Sequence, residues 1–148
     1  MRVARRGLDM AGLRFSIRTD DDTSKRMARV RQRDTSIEEL VRDGLRRFGL
    51  RFWTDNRNLP GSPDIANRSK RWAIFVHGCF WHAHERCPKA TVPKRNRSFW
   101  LAKFAANRAR DSRVVKELRS MGYRTLVIWQ CEAENKEKLV RRLRVLLP

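Results

Sequence analysis

The sequence predicts an α/β domain built around a strand–helix–strand crossover. Three observations carry this expectation. Trp72-Ala73-Ile74-Phe75-Val76 is a continuous apolar run, as expected of a buried central strand. Ser98 to Met121 reads as one long helix, with Trp100, Phe104, Val114, Val115 and Leu118 on the buried side. Tyr123–Trp129 is a second apolar, β-branched run. A strand, a helix and a further strand in this order suggest a parallel pair crossed by the helix.

The elements follow along the chain. Residues 1–20 are Arg-rich and acid-poor and show no clear period. They read as a flexible basic extension, 1–21, ahead of a single domain at 22–148. Thr35-Ser36-Ile37-Glu38-Glu39 is the first firm helix start. Thr35/Glu38 and Ser36/Glu39 both fit a capping box. Ile37, Leu40, Val41, Leu45 and Phe48 recur at helical spacing, and Gly49 fits the stop. A short strand is expected at Leu50–Thr54, with Phe52 facing inward. Asn58-Leu59-Pro60-Gly61-Ser62-Pro63 is a turn-rich loop. Asp64-Ile65-Ala66 begins the next strand, and Asn67–Lys70 reads as a hairpin turn. A loop rich in His, Cys and aromatic residues occupies 77–95. Gly122 ends the long helix. Glu134–Leu147 reads as a terminal amphipathic helix carrying Leu139, Val140, Leu143 and Leu146.

Composition narrows the class. The 148 residues suit one domain with its own core. Lys and Arg number 35 against 16 Asp and Glu, a formal charge of +19 that favours a polyanionic partner, with nucleic acid the commonest. Arg alone makes up 27 of the 35, and Arg richness can also reflect genome composition. Five Trp, seven Phe and a hydrophobic share of 41% are too rich for a disordered basic tail. No apolar run approaches the roughly 18 residues of a membrane span. Three scattered Cys argue against a secreted disulfide scaffold. The expectation is a soluble, globular, very basic protein.

All three His and two of the three Cys fall within His77-Gly78-Cys79-Phe80-Trp81-His82-Ala83-His84-Glu85-Arg86-Cys87. The third, Cys131, follows the strand ending at Trp129. Neighbouring strands would bring Cys131 beside this loop. Zinc takes four N/S ligands in a tetrahedron. Cys79, His84, Cys87 and Cys131 supply such a set, which would be closed and therefore structural. His82 could replace His84 as ligand, because spacing does not choose between them. The plainer reading is ordinary buried Cys and solvent-facing His.

Pro63-Asp64 lies about ten residues before the strand that ends near His77. Hard carboxylate oxygens suit Mg²⁺, which keeps several waters and binds substrate phosphate. Taken alone, the pair reads better as a turn-capping Asp, and the capping box explains Glu38 fully. Phe80 and Trp81 could insert between base pairs or pack beneath the zinc. Trp100 reads more simply as a core residue. Lys94, Arg95, Arg97, Lys103, Arg108, Arg110 and Arg113 could track phosphates. A solvated helix face accounts for part of that run.

Together these residues resemble the very short patch repair endonucleases (Vsr type), bacterial enzymes that nick DNA at T:G mismatches. The resemblance spans about residues 22–132. It rests on Ser24-Lys25-Arg26-Met27, Arg33-Asp34-Thr35-Ser36-Ile37-Glu38, Leu59-Pro60-Gly61-Ser62-Pro63-Asp64 and Phe75-Val76-His77-Gly78-Cys79-Phe80-Trp81-His82. Phe99-Trp100, Asn107, Arg110-Asp111, Val127-Ile128-Trp129 and Cys131 extend it. The resemblance implies a restriction-endonuclease-like fold, with a central mixed β-sheet flanked by helices and a structural Zn²⁺. It implies that Asp64 binds a catalytic Mg²⁺, with the Val76 carbonyl as backbone ligand. His77 stands where the wider superfamily has a lysine, and Phe75 where it usually has a carboxylate. His82 matches the catalytic His, a general base or acid. Asp111 would support a His or the waters at the metal, and Glu38 would hold a water there. The zinc ligands fall on Cys79, His84, Cys87 and Cys131. Phe80, Trp81 and Trp100 match the aromatics that wedge into DNA. Lys25 and Arg26 fall in the DNA-binding arm, with Arg29 beside them. The implied partner is double-stranded DNA with a T:G mismatch, with mismatch-repair proteins as candidate recruiters. A cytoplasmic, nucleoid-associated monomer without membrane contact is expected.

Overall fold

The computed structural model describes residues 35–148 and the backbone of two N-terminal strands. Those strands, β1 (Arg5–Met10) and β2 (Leu13–Arg18), pair antiparallel, with Arg5 opposite Arg18 and Met10 opposite Leu13. No period announces them, because alternation is weak in so Arg-rich a segment. Residues 19–34 lie outside the described part, and with them Lys25, Arg26 and Arg29.

Helix α1 runs Ser36–Arg47. Of the two caps that fit the sequence, Thr35 is the N-cap in use: its Oγ1 accepts the Glu38 N–H at 3.3 Å. Val41 and Leu45 bury completely. The helix closes in a Schellman motif: Leu50 N–H reaches the Leu45 carbonyl at 3.0 Å and Gly49 N–H reaches Arg46 at 2.9 Å. Gly49 holds the φ of +68° that this motif requires.

The expected strand over Leu50–Thr54 shrinks to a single bridge between Trp53 and Ala66. Asn56, completely buried, turns the chain away at once by donating to the Trp53 and Pro63 carbonyls. Strand β3 (Ile65–Asn67) pairs antiparallel with β4 (Trp72–His77). The run extends one residue beyond the apolar stretch, so His77 is a strand residue and not the start of a loop. Strand β5 (Arg124–Trp129) lies parallel to β4, with Trp72 opposite Arg124 and His77 opposite Trp129. The sheet order is β3-β4-β5, a mixed sheet.

Helix α2 (Arg97–Ser120) is the crossover. It ends as α1 does, with Tyr123 N–H on the Leu118 carbonyl and Gly122 N–H on Arg119. The single C-terminal helix expected from the sequence divides. A turn of helix, α3 (Gln130–Ala133), precedes α4 (Lys136–Leu143), and a 3₁₀ turn covers Arg144–Leu146. The break follows from Asn135, whose side chain caps the Lys138 N–H and starts a new helix.

Strand alternation divides the core between two faces of the sheet. Trp72, Ile74 and Ile128 join Val41 and Leu45 of α1 and Leu139 and Leu143 of α4. Ala73 and Phe75 join Leu59 and Leu118, with Val114, Val115 and Val127 packed against them. His77 has the parity of Ala73 and Phe75, and so faces α2. Among the described residues no helix is long and apolar enough to cross a membrane.

Candidate active site and metal centre

Both candidate clusters sit where β4 and β5 end together. Parallel pairing puts His77 beside Trp129, so the segments leaving the two strands must be neighbours. One runs Gly78–Cys87, and the other is α3 with Cys131.

The first cluster is Cys79, His84, Cys87 and Cys131, whose ligand atoms all lie within 4.8 Å of one another. His84, and not His82, stands among the thiols. Its N–H bonds the Cys79 carbonyl at 2.9 Å, and Ala83 before it adopts φ +49°. The imidazole stacks on Trp129, with centroids 4.1 Å apart and planes 7° from parallel. This leaves His84 Nδ1 at 3.5 Å from both Cys79 Sγ and Cys131 Sγ. A tetrahedron with Zn–S of about 2.3 Å and Zn–N of about 2.05 Å has an N···S edge of about 3.6 Å. Spacing and donor chemistry therefore fit one zinc ion.

The thiols differ in acidity. Burial pushes Cys79 up to about 12 and also raises Cys131. Cys87 is lowered, chiefly by the backbone N–H of Lys89. A Lys89–Glu134 ion pair ties the end of this loop to the end of α3.

The second cluster is His77, His82 and Asp111. The 4-3 spacing of Trp100, Phe104, Asn107, Asp111, Val114 and Leu118 puts these residues along one face of α2. Asp111 Oδ2 meets His82 Nδ1 at 2.6 Å and lies 4.0 Å from His77 Nδ1. The His77 and His82 rings stack at 3.8 Å, 5° from parallel. Asn107 donates to the Trp81 carbonyl at 2.9 Å and pins the loop between them. His77 is buried, and burial followed by the His82 charge lowers its pKa to about 4. Asp111 is lowered despite burial, which acts to raise it; the hydrogen bond to His82 and the charges of both imidazoles outweigh that burial. Parallel stacked rings cannot both point a lone pair, in plane, at one ion. The geometry suits a relay or a support more than shared metal ligation.

Asp64 immediately precedes β3, on the parity of Ala66. Its Oδ2 accepts the Val76 N–H at 2.7 Å, which holds the carboxylate beside the last residues of β4. Neither cluster includes Asp64 or Glu38. Glu38 is engaged at the start of α1, where Thr35 Oγ1 also donates to its carboxylate at 3.3 Å.

Phe80, Trp81 and Trp100 assemble one aromatic group. Phe80 meets Trp81, Trp100 and Phe104 edge-on at 5.1, 5.4 and 5.5 Å. Phe104 is buried beneath, and the other three rings are half-buried. Lys103 Nζ stands over Trp81, Phe99 and Trp100 at 5.3–5.8 Å. Sequence reasoning passed over two contributors, Asn56, which braces the turn before Asp64, and the Trp129 ring under His84, and it read Lys103 as a phosphate-tracking cation without placing it over the rings. For Lys103 a signal existed, a cation one turn from Trp100 and Phe99.

A family model described as DNA mismatch endonuclease Vsr matches residues 15–89. The type II nicking enzyme V.XorIIP of Xanthomonas oryzae pv. oryzae is 44% identical over 121 residues, which cover 82% of this chain and 88% of that one. The DNA mismatch endonuclease Vsr of Escherichia coli K12 is 40% identical over 116 residues, 78% and 74% of the two chains. The chain belongs to the Vsr DNA mismatch endonuclease family. It is a DNA nicking endonuclease of that family, and DNA is its substrate. The type II nicking enzyme V.NmeAIP of Neisseria meningitidis is 38% identical and covers 82% of this chain. In this Vsr-family chain the matched segment includes Asp64, His77, His82 and three of the four residues of the Cys/His cluster, Cys79, His84 and Cys87, while Asp111 and Cys131 lie beyond it.

Proposed function

We propose that this chain nicks DNA at T:G mismatches, hydrolysing the phosphodiester 5′ to the mismatched T and leaving 3′-hydroxyl and 5′-phosphate ends. The observation that carries the reading is the 2.6 Å His82–Asp111 contact, with His77 stacked on it, beside the strand end that holds Asp64. A restriction-endonuclease-like scaffold accommodates the mixed sheet and its crossover helix.

Asp64 offers a hard oxygen next to the backbone of Val76, and this fits Mg²⁺, which takes few protein ligands. Bound there, Mg²⁺ supplies charge neutralisation at the scissile phosphate and favours ionisation of the attacking water. His82 donates Nδ1–H to Asp111 and so presents Nε2 as the acceptor of that water's proton. His77, kept neutral by burial, holds the plane of His82. Glu38 orients a water from the start of α1. The Cys₃His set would hold a structural Zn²⁺, which would fasten the His82 loop to the end of β5. Phe80, Trp81 and Trp100 form the wedge, and a mismatch lowers the unstacking that a wedge must overcome. Lys25 and Arg26 contact the backbone from the N-terminal side. The enzyme acts as a monomer, since one nick needs one site, and mismatch-repair proteins are its candidate recruiters.

The test is a nicking assay with Mg²⁺ on a labelled duplex carrying one T:G pair in several flanking contexts. A matched T:A duplex and the Asp64→Ala variant run beside it. A single cut beside the T, absent from both controls, is the expected result. Cutting both strands of matched DNA would replace this reading with a restriction-type nuclease. Binding without cutting in every context would replace it with a zinc-stabilised DNA-binding module.

A further inference from the structure

The end of the sheet opposite the catalytic residues carries its own charge. The β3–β4 turn contributes Arg68, Lys70 and Arg71, the end of α2 contributes Arg119, the start of β5 contributes Arg124, and the C-terminal 3₁₀ turn contributes Arg144. All six are exposed. Backbone contacts hold them together. Arg124 N–H bonds the Arg71 carbonyl at 2.8 Å, Arg71 reaches the Met121 carbonyl at 3.4 Å, and Arg124 donates to the Val145 carbonyl at 3.0 Å. Among the described residues none of the six is in an ion pair. Elsewhere Arg42, Arg46, Arg57 and Lys89 all have carboxylate partners. The nearest acid along the chain is Glu117, one turn before Met121.

Six cations against one carboxylate form a surface that needs an anionic partner. We infer that this end of the molecule binds the phosphate backbone of a second segment of duplex DNA. β4 and β5 have six residues each, so about 20 Å separate this end from His77 and Trp129. The two sets of residues therefore lie at opposite ends of the strands. The charges sit on turns and helix ends, which suits a phosphate backbone, and the exposed Met121 and Val145 lie beside them. Two DNA-binding ends on one protein permit direct transfer between segments, without an unbound intermediate.

The experiment uses the full chain preloaded on a fluorescent short duplex and challenged with rising unlabelled duplex DNA. Direct transfer makes the observed dissociation rate climb with competitor concentration. Arg68→Glu/Lys70→Glu/Arg119→Glu should flatten that dependence about tenfold, from three lost phosphate contacts. Its initial nicking rate on the short duplex should stay within twofold. A control triple on α4, Lys136→Glu/Lys138→Glu/Arg141→Glu, makes the same charge change elsewhere and should retain the dependence. Arg71→Gly is a second probe: φ +51° at this position suits glycine, and the change removes the charge together with the exposed 3.4 Å hydrogen bond to the Met121 carbonyl. It should weaken the dependence, with the relieved backbone strain offsetting the lost hydrogen bond in the melting temperature. A wild-type rate indifferent to competitor would overturn the inference, and point instead to an acidic protein partner. So would equal losses in the two triples, or loss of short-duplex nicking in step with transfer.

Discussion

His82 Nδ1 and Asp111 Oδ2 lie 2.6 Å apart although 29 residues separate them in the chain. The contact joins the loop leaving β4 to the middle of the crossover helix. It fixes the imidazole's tautomer, because a carboxylate only accepts. The opposite ring nitrogen is then the proton acceptor. Asp111 is held in place by the α2 face that carries Asn107 and Val114 on either side, and its pKa is held below the ordinary carboxylate range.

Asp111→Asn tests that orientation. The amide keeps the shape and can offer its NH₂ group to Nδ1, which selects the wrong tautomer. We expect kcat for nicking to fall about 10²–10⁴-fold, with KM for the duplex little changed. Single-turnover nicking and a binding isotherm would measure the two separately. Equal loss of affinity and rate would assign Asp111 to DNA binding instead.

His77 gives a pH dependence of known sign. Burial lowers its pKa to about 4 from an ordinary 6.5. Between these values the unfolded chain takes up the proton and the folded chain does not. Stability therefore falls as pH drops through that window, by about 2–3 kcal/mol from pH 7 to pH 4.5. His77→Gln removes this contribution. Urea unfolding of the two proteins at both pH values should show the smaller acid loss in the variant. Equal losses would mean that His77 is protonated in the folded state.

Parts of this architecture were legible in the sequence for physical reasons. Trp72–Val76 and Ser98–Met121 are long, strongly patterned segments, and burial enforces their period. Cys79, His84, Cys87 and Cys131 could be grouped once two parallel strands were expected to end together. Choosing His84 over His82 was beyond spacing, because Ala83's left-handed turn and the Trp129 stack decide it. The Leu50–Thr54 strand shrank to the Trp53–Ala66 bridge because the buried Asn56 side chain joins Ala66 N–H on the Trp53 carbonyl, also donates to the Pro63 carbonyl, and turns the chain. The His82–Asp111 pairing was visible only through family resemblance, since no local pattern links a loop to a helix 29 residues away.

Metal binding at the cysteines should release protons. Without metal, Cys79 and Cys131 keep theirs at neutral pH, because burial raises both. Zinc takes thiolates, so about two to three protons leave per ion bound. Titration of the metal-free chain with Zn²⁺ in buffers of different ionisation enthalpy reads that number directly. Cys131→Ser should lose about one proton and much of the affinity. Release of fewer than one proton in the parent chain would rule out a thiolate site.

Gly61 and Gly49 form a matched pair of stability probes. Both adopt left-handed backbone, with φ +69° and +68°. An alanine at Gly49 meets nothing within 4 Å, so Gly49→Ala reports the backbone strain alone, about 1 kcal/mol. At Gly61 the added Cβ would stand 2.3 Å from Val114 Cγ1 on α2. Gly61→Ala therefore adds overpacking of about 1–3 kcal/mol to the same strain. For a domain of this size the melting temperature should drop about 2–4 °C with Gly49→Ala and about 5–15 °C with Gly61→Ala. Gly61 also lies three residues before Asp64, in the turn that Asn56 braces, so Val114 must yield or the turn must shift. Nicking by Gly61→Ala, assayed well below its melting temperature, should fall, while Gly49→Ala should nick as the parent does. Equal thermal shifts would show that the turn relaxes away from α2 without resistance.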